Sequence, residues 1–226
     1  MPEATLALIP AYQEGPRVAA VVGGVRIHLP VLVVDDGSTD DTAGRAEAAG
    51  ATVIVQRPNQ GKGAALRAGF RWALAHDFEA VLTLDADGQH DPAEIPDFLA
   101  ARARTGADLL IGRRDFGRMP PVRRLANELG RRAISWAAGR DIPDNQSGYR
   151  LLSRRLVEAV VSGEEAGFEY EIEMIVTCIR AGFGLGWVPI RTIYAGEPSH
   201  IRPWRHLTSF ARMVRNTRRT VRRPLP

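Results

Sequence analysis

Short apolar runs and polar, glycine-rich turns alternate along the first 112 residues. Thr5 to Ile9 ends at Pro10, and Val31 to Val34 ends in Asp35-Asp36-Gly37. Thr52 to Val55 ends near Pro58-Asn59, Val81 to Leu84 ends in Asp85-Ala86-Asp87, and Ala107 to Ile111 ends at Gly112. Runs this short, apolar on both faces, predict strands of a buried parallel sheet. Helical segments separate them. Thr39 to Ala49 follows the capping residue Ser38, and Gly63 to Ala75 carries Leu66, Phe70 and Leu74 at helical spacing. Asp91-Pro92 reads as an N-cap with proline at the first helical position. This order predicts an α/β fold, Rossmann-like, with a mainly parallel sheet flanked by helices.

The second half is less regular. Val122 to Ala138 predicts a helix, Asp141 to Gly148 a loop, and Phe168 to Ala181 a helix whose Ile172, Ile175, Val176 and Ile179 form an apolar stripe. Leu185 to Tyr194 predicts a return to strand, and the chain from Pro203 onward predicts a basic helix. The expected organisation is one catalytic-sized unit over residues 1–198 and a basic amphipathic tail over 199–226.

Charge sharpens that division. The net charge is +4, yet eight arginines lie between Ile201 and Pro226, which leaves residues 1–200 at −4. A basic tail points to an anionic partner. Trp204, Leu207, Ala211 and Val214 recur at helical spacing among the tail arginines, the pattern of a helix lying in a membrane interface. No run approaches the roughly 18 apolar residues that span a bilayer, and the first residues lack the pattern of a signal peptide. The one cysteine, Cys178, excludes an intrachain disulfide framework. The expected location is therefore the cytoplasm, peripheral on the inner face of the membrane. Lysine occurs once, at Lys62; the sequence leaves its role open.

In an open parallel sheet, ligands bind beyond the carboxyl ends of the strands. Three polar clusters fall there: Pro10-Ala11-Tyr12-Gln13-Glu14, Asp35-Asp36-Gly37-Ser38 and Asp85-Ala86-Asp87-Gly88-Gln89-His90. Two carboxylates two residues apart, with Gln89 beside them, suit a hard divalent cation such as Mg2+ or Mn2+. A Gly-x-x-x-x-Gly-Lys-Ser/Thr phosphate loop, a Gly-x-Gly-x-x-Gly turn after the first strand and a Gly-x-Ser-x-Gly elbow are all absent, which argues against P-loop enzymes, dinucleotide dehydrogenases and serine hydrolases.

Five segments in order make the sequence recognisable: Ile9–Glu14, Val33–Asp40, Asn59-Gln60-Gly61-Lys62-Gly63-Ala64-Ala65, Leu84–His90 and Asp144-Asn145-Gln146-Ser147-Gly148-Tyr149-Arg150. Together they resemble the inverting family 2 glycosyltransferases of GT-A fold, and most of all the polyprenyl-phosphate sugar transferases of the dolichol-phosphate mannosyltransferase kind. The resemblance covers roughly residues 4–195. It implies a nucleoside-diphosphate sugar donor, contacted by Pro10, Tyr12, Glu14, Asp36, Asp85, Ser147 and Gly148. It implies a metal on Asp85, Asp87 and Gln89. It places Arg114, with Arg123 or Arg124, at an acceptor phosphate, and makes His200 and Arg202 candidates for phosphate contact. Gln13 departs from the usual Asn, Gly15 from a frequent acidic residue and Tyr149 from a frequent Phe.

The acceptor decides whether a general base is needed. A hydroxyl acceptor requires one, and Asp144 is the candidate; a polyprenyl phosphate is already ionised and requires cations instead. A soluble-acceptor transferase is thus the alternative to a polyprenyl-phosphate transferase. A nucleic-acid-binding module built on the arginine tail is the third reading, and the acidic rim of the body argues against nucleic acid.

Overall fold

The computed structural model describes residues 4–114, 121–162, 169–191 and 214–221. The strands are β1 (Thr5–Ala11), β2 (Val31–Asp35), β3 (Thr52–Val55), β4 (Ala80–Thr83), β5 (Leu109–Arg114), β6 (Arg150–Ser153) and β7 (Leu185–Ile190). They form one seven-stranded sheet of order β3-β2-β1-β4-β6-β5-β7. All pairings are parallel except those of β6, which runs antiparallel to both β4 and β5. The mainly parallel α/β architecture expected from the sequence is therefore present.

The helices are α1 (Val18–Arg26), α2 (Thr42–Ala48), α3 (Lys62–Ala75), α4 (Ile95–Thr105), α5 (Pro121–Ala138), α6 (Arg154–Val160) and α7 (Glu169–Arg180). Strand side chains alternate between two apolar layers. Ala7, Ile9, Val31 and Val33 pack with Val22, Val25, Ile95 and Phe98 on one face. Leu6, Leu8, Leu32 and Val34 pack with Phe70, Ile134, Leu156 and Ile175 on the other. Because both faces are covered, β1, β2 and β4 read as continuous apolar runs; β3, expected to be buried as well, is the sheet edge and leaves Thr52 and Val55 exposed.

Asp91 caps the start of the fourth helical region as expected: its side chain accepts a hydrogen bond from Ala93 N at 3.0 Å, and a 3-10 turn, Pro92–Glu94, leads into α4. Three elements were not anticipated: α1, β6 and α6. The expected helix over Thr39–Ala49 starts later, at Thr42, because Asp40 and Thr42 bond to one another and to the Gly15 loop rather than opening a helical turn. Residues 214–221 are helical. This segment docks on α5: the Arg218 guanidinium lies 4.3 Å from the centre of the Trp136 ring and donates to Trp136 O at 2.6 Å. Val214 packs against the second apolar layer. None of the described helices is long and apolar enough to cross a membrane.

Candidate active site

The carboxyl ends of β1, β2, β4 and β5 share one rim, and because β6 runs backwards its amino end joins them. The loop after β1 is fixed from below. Gln13 adopts a left-handed backbone, φ 58°, a conformation that Asn tolerates better than Gln. Two contacts hold it there: its N donates to Ser38 Oγ at 2.9 Å and its side-chain amide to Thr39 Oγ1 at 2.8 Å. Gly15 follows for a steric reason. A Cβ there would stand 2.8 Å from Asp40 Oδ2, the atom that accepts from Gly15 N at 3.0 Å. Tyr12 is half exposed above the loop, and Glu14 holds Arg17 at 2.8 Å.

Asp36, at the end of β2, is buried. Its carboxylate accepts from Gln60 N at 2.9 Å and Gly61 N at 2.7 Å, which ties the β2 turn to the turn that starts α3. The next residue, Lys62, is where the single lysine acquires a role. Its Nζ lies 2.6 Å from Asp85 Oδ1 and 2.8 Å from Glu171 Oε1, bridging α3, the β4 end and α7. Burial alone would raise the Asp85 carboxyl. The Lys62 charge, aided by hydrogen bonds from Lys62 and His90, overrides this and holds it well below the usual carboxylate range. Burial would likewise lower Lys62, and the two carboxylates push it above the ordinary lysine value instead.

Asp87 sits half-buried two residues further, and its Oδ1 accepts from Gln89 N at 2.9 Å. His90 is buried with its ring 5.0 Å from that of Tyr149 and its Nε2 3.6 Å from Asp85 Oδ2. The Ser147-Gly148 segment passes directly over Asp85: a Cβ on Gly148 would come 2.5 Å from Asp85 Oδ2. Thr83 Oγ1 donates to Gly148 O at 2.8 Å and fixes that approach. Tyr149, in place of Phe, uses its hydroxyl to donate to Asp91 O at 3.2 Å.

Arg150 supports the rim from below, and the sequence reading gave it no role of its own. It is 1% exposed, and its guanidinium donates to Ser147 O, Asn145 O and Glu171 O at 2.8, 3.1 and 2.5 Å. Burial lowers its pKa, but an arginine stays charged, so it acts as a permanent clamp on the 145–147 loop. The available signal was its place at the end of the Asp144–Arg150 segment. Arg114 and Asp144, named separately for acceptor phosphate and general base, are brought together: Arg114 Nε and Nη2 bond Asp144 Oδ2 and Oδ1 at 2.8 and 2.9 Å. Arg123 and Arg124 belong to α5, but their side chains lie outside the described residues, as do His200 and Arg202.

The rim thus gathers Asp36, Asp85, Asp87, Ser147 and Gly148 on one side and Arg114 on the other. The glycosyl transferase family 2 profile matches residues 7–161, the span that builds this rim. The chain belongs to glycosyl transferase family 2. An undecaprenyl-phosphate mannosyltransferase of Micrococcus luteus is 33% identical over 203 residues, covering 82% of each chain. A polyprenol monophosphomannose synthase of Mycolicibacterium smegmatis is 34% identical over 204 residues, covering 82% of this chain and 76% of that one. Among solved structures, a glucosyl-3-phosphoglycerate synthase of Mycobacterium tuberculosis, in complex with Mn2+, UDP and phosphoglyceric acid, superposes with a TM-score of 0.72 at 24% identity, covering 99% of this chain and 80% of that one. That likeness establishes the fold, GT-A. This glycosyltransferase therefore carries its carboxylate- and arginine-bearing rim on a GT-A sheet.

Proposed function

We propose that this glycosyltransferase moves a sugar from a nucleoside-diphosphate sugar to a polyprenyl phosphate, with inversion, at the surface of an anionic membrane. The observation that carries the reading is the division of the rim: carboxylates at the ends of β2 and β4, and an arginine, Arg114, at the end of β5. The names of the M. luteus and M. smegmatis relatives support the acceptor class.

Pro10, Tyr12, Glu14 and Asp36 would take the nucleoside, with Asp36 already immobilised by two backbone amides. Ser147 and Gly148, held against Asp85, would meet the sugar. Among the described residues no group of three or more His, Cys, Asp or Glu is placed to hold a metal by itself. Asp85, Asp87 and the Gln89 amide still fit one, since Mg2+ binds through one or two carboxylates and completes its shell with phosphate oxygens and water. A bound Mg2+ or Mn2+ would stabilise the charge on the departing diphosphate as a Lewis acid. Lys62 keeps Asp85 ionised for that task. The acceptor phosphate, ionised at neutral pH, needs no general base; Arg114 would hold it opposite the leaving group, and one displacement inverts the anomeric carbon.

Membrane contact would come from the basic C-terminal segment. Arg215 and Arg219 are exposed on the helical residues 214–221. Each arginine near an anionic surface contributes about 1 kcal/mol, screened beyond about 8 Å at physiological ionic strength. Deleting the segment would also strip Val214 and Arg218 from their packing on the body, so charge removal is the cleaner test.

The experiment begins with thermal unfolding against UDP- and GDP-sugars with Mg2+ or Mn2+, since a bound donor stabilises the native state by mass action. The selected donor is then assayed with an isoprenyl monophosphate. Replacing Asp87→Ala should abolish transfer and leave the fold intact. Replacing Arg215, Arg219, Arg222 and Arg223 by Gln should release the protein from anionic vesicles. Full activity of the Asp87 variant or in excess chelator, or efficient transfer to a soluble hydroxyl with isoprenyl phosphate ignored, would refute the reading.

A further inference from the structure

We infer that Asp144 is a positioning residue, which sets the Arg114 guanidinium for an anionic acceptor and does not act as a general base. The inference rests on the phosphate-acceptor reading above. Asp144 lies in the loop before β6, thirty residues from its partner. Its Oδ2 accepts from Arg114 Nε at 2.8 Å and Arg114 N at 3.3 Å; its Oδ1 accepts from Arg114 Nη2 at 2.9 Å and Gln146 N at 3.1 Å. The Asp144 side chain is 1% exposed and that of Arg114 is 20% exposed.

A general base must bring a lone pair within about 2.6–3.2 Å of the proton it takes. Here both carboxylate oxygens are engaged below the surface, and a proton on either would displace a hydrogen bond from the guanidinium. The half of the pair that reaches the rim is the arginine. A guanidinium is a rigid planar fork. Side-on pairing through Nε and Nη2 therefore fixes its plane and directs the Nη1 end away from Asp144. The loop that carries Asp144 is itself immobilised, because buried Arg150 holds the carbonyls of Asn145 and Ser147 on its far side. A carboxylate so fixed is suited to orienting a cation in advance of binding, which saves the ordering cost of a long side chain.

The test is a double-mutant cycle on Asp144→Asn, Arg114→Gln and the combined variant, with Asp141→Asn, an exposed carboxylate in the same loop, as control. Binding of an isoprenyl monophosphate in detergent micelles is measured, with the matching isoprenol as blank, beside thermal unfolding of each variant. Asp144→Asn should weaken phosphate binding by about tenfold, the scale of one charge-assisted hydrogen bond, and should raise KM for the acceptor more than it lowers kcat. The combined variant should bind no more weakly than Arg114→Gln, because a residue acting through its neighbour shows a non-additive cycle. Asp141→Asn should bind as the intact protein does. Unaltered or tighter phosphate binding by Asp144→Asn, or losses that add in the combined variant, would overturn the inference. If the intact protein ignores isoprenyl monophosphate and glycosylates the hydroxyl of 3-phosphoglycerate, the acceptor reading fails separately, and the same cycle is run on that acceptor. Loss of kcat and of the acid limb of its pH profile in Asp144→Asn would then make Asp144 a base and overturn the inference. A raised KM with the pH profile preserved would support it.

Discussion

Asp108 offers a stability test remote from the rim. It lies one residue before β5, at the opposite end of the sheet, and is 2% exposed. Its carboxylate accepts from Ser153 Oγ at 2.8 Å and Gly184 N at 2.9 Å, and pairs side-on with Arg155. Its backbone joins the same elements, through Gly184 O and Ser153 N at 2.8 Å each. One side chain therefore ties together the starts of β5 and β7 and the turn from β6 into α6. Asp108→Asn keeps the shape, removes the charge and turns an amide NH2 toward hydrogen-bond donors. Hydrogen bonds to a charged group contribute about 1.5–3 kcal/mol. Arg155 is 60% exposed and regains water, but the Ser153 and Gly184 donors both lose their charged acceptor, so the upper figure, about 3 kcal/mol, applies. At 2–4 °C per kcal/mol for a chain of this size, the melting temperature should fall by roughly 6–12 °C. Burial raises the Asp108 carboxyl, but the hydrogen bonds from Arg155, Ser153 and Gly184 outweigh it and leave its pKa lowered. A lowered carboxylate stabilises the fold fully above its unfolded value, about 3.9, and loses that contribution as pH falls through its folded value. The gap between the two proteins in urea or thermal unfolding should be constant from pH 7 to about 5 and narrow below about 4. A gap under about 1 kcal/mol at pH 7, or one that does not change with acid, would refute the argument.

Two further substitutions separate stability from chemistry at the rim. Lys62→Met leaves Asp85 and Glu171 without their shared cation, and should cost about 3 kcal/mol in urea unfolding together with donor binding in a thermal-shift titration. Arginine at position 62 should not restore function, because a planar fork cannot occupy a site built for a point charge. Gly148→Ala forces Asp85 to move, since the new Cβ would stand 2.5 Å from its Oδ2. Overpacking of this kind costs about 1–3 kcal/mol, while a misplacement near 1 Å costs about 10²-fold in rate. Transfer should therefore fall far more steeply than the melting temperature.

The residues that announced the fold were those with one environment along their whole length. β1, β2 and β4 are covered on both faces, so each reads as an unbroken apolar run that stops at the rim. α1 escaped because its valines and glycines, Val18 to Arg26, lie only a few residues before the next apolar run, Val31 to Val34, and blur the boundary between helix and strand. β6 escaped because it is four residues long and opens with a charged side chain, Arg150, that is buried in the structure. Asp36, Asp85 and Asp87 were legible because each lies in the turn that follows a strand, and strand ends converge by topology. Pairings across the sequence were not legible. Lys62 with Glu171, Arg114 with Asp144, and Arg218 with Trp136 depend on which loops and helices become neighbours, which no local spacing encodes.

The reversed direction of β6 bears on how this enzyme can be recombined. β3, β2, β1 and β4 form an uninterrupted parallel block from residues 5–83, and within the sheet the remaining strands attach to it through the single seam between β4 and β6. A chain that keeps residues up to the start of α4 and exchanges the remainder would carry this parallel block whole into a new molecule. The junction must keep Val81 and Leu82 against Leu152 and Leu151, Thr83 reaching the Gly148 carbonyl, Lys62 bridging Asp85 to Glu171, and Phe70 packed on Leu156 and Ile175. Interchange of parts across that seam would vary Arg114, Asp144 and the Ser147-Gly148 loop together against a constant parallel block, and chimaeras cut there are the natural place to look for altered specificity.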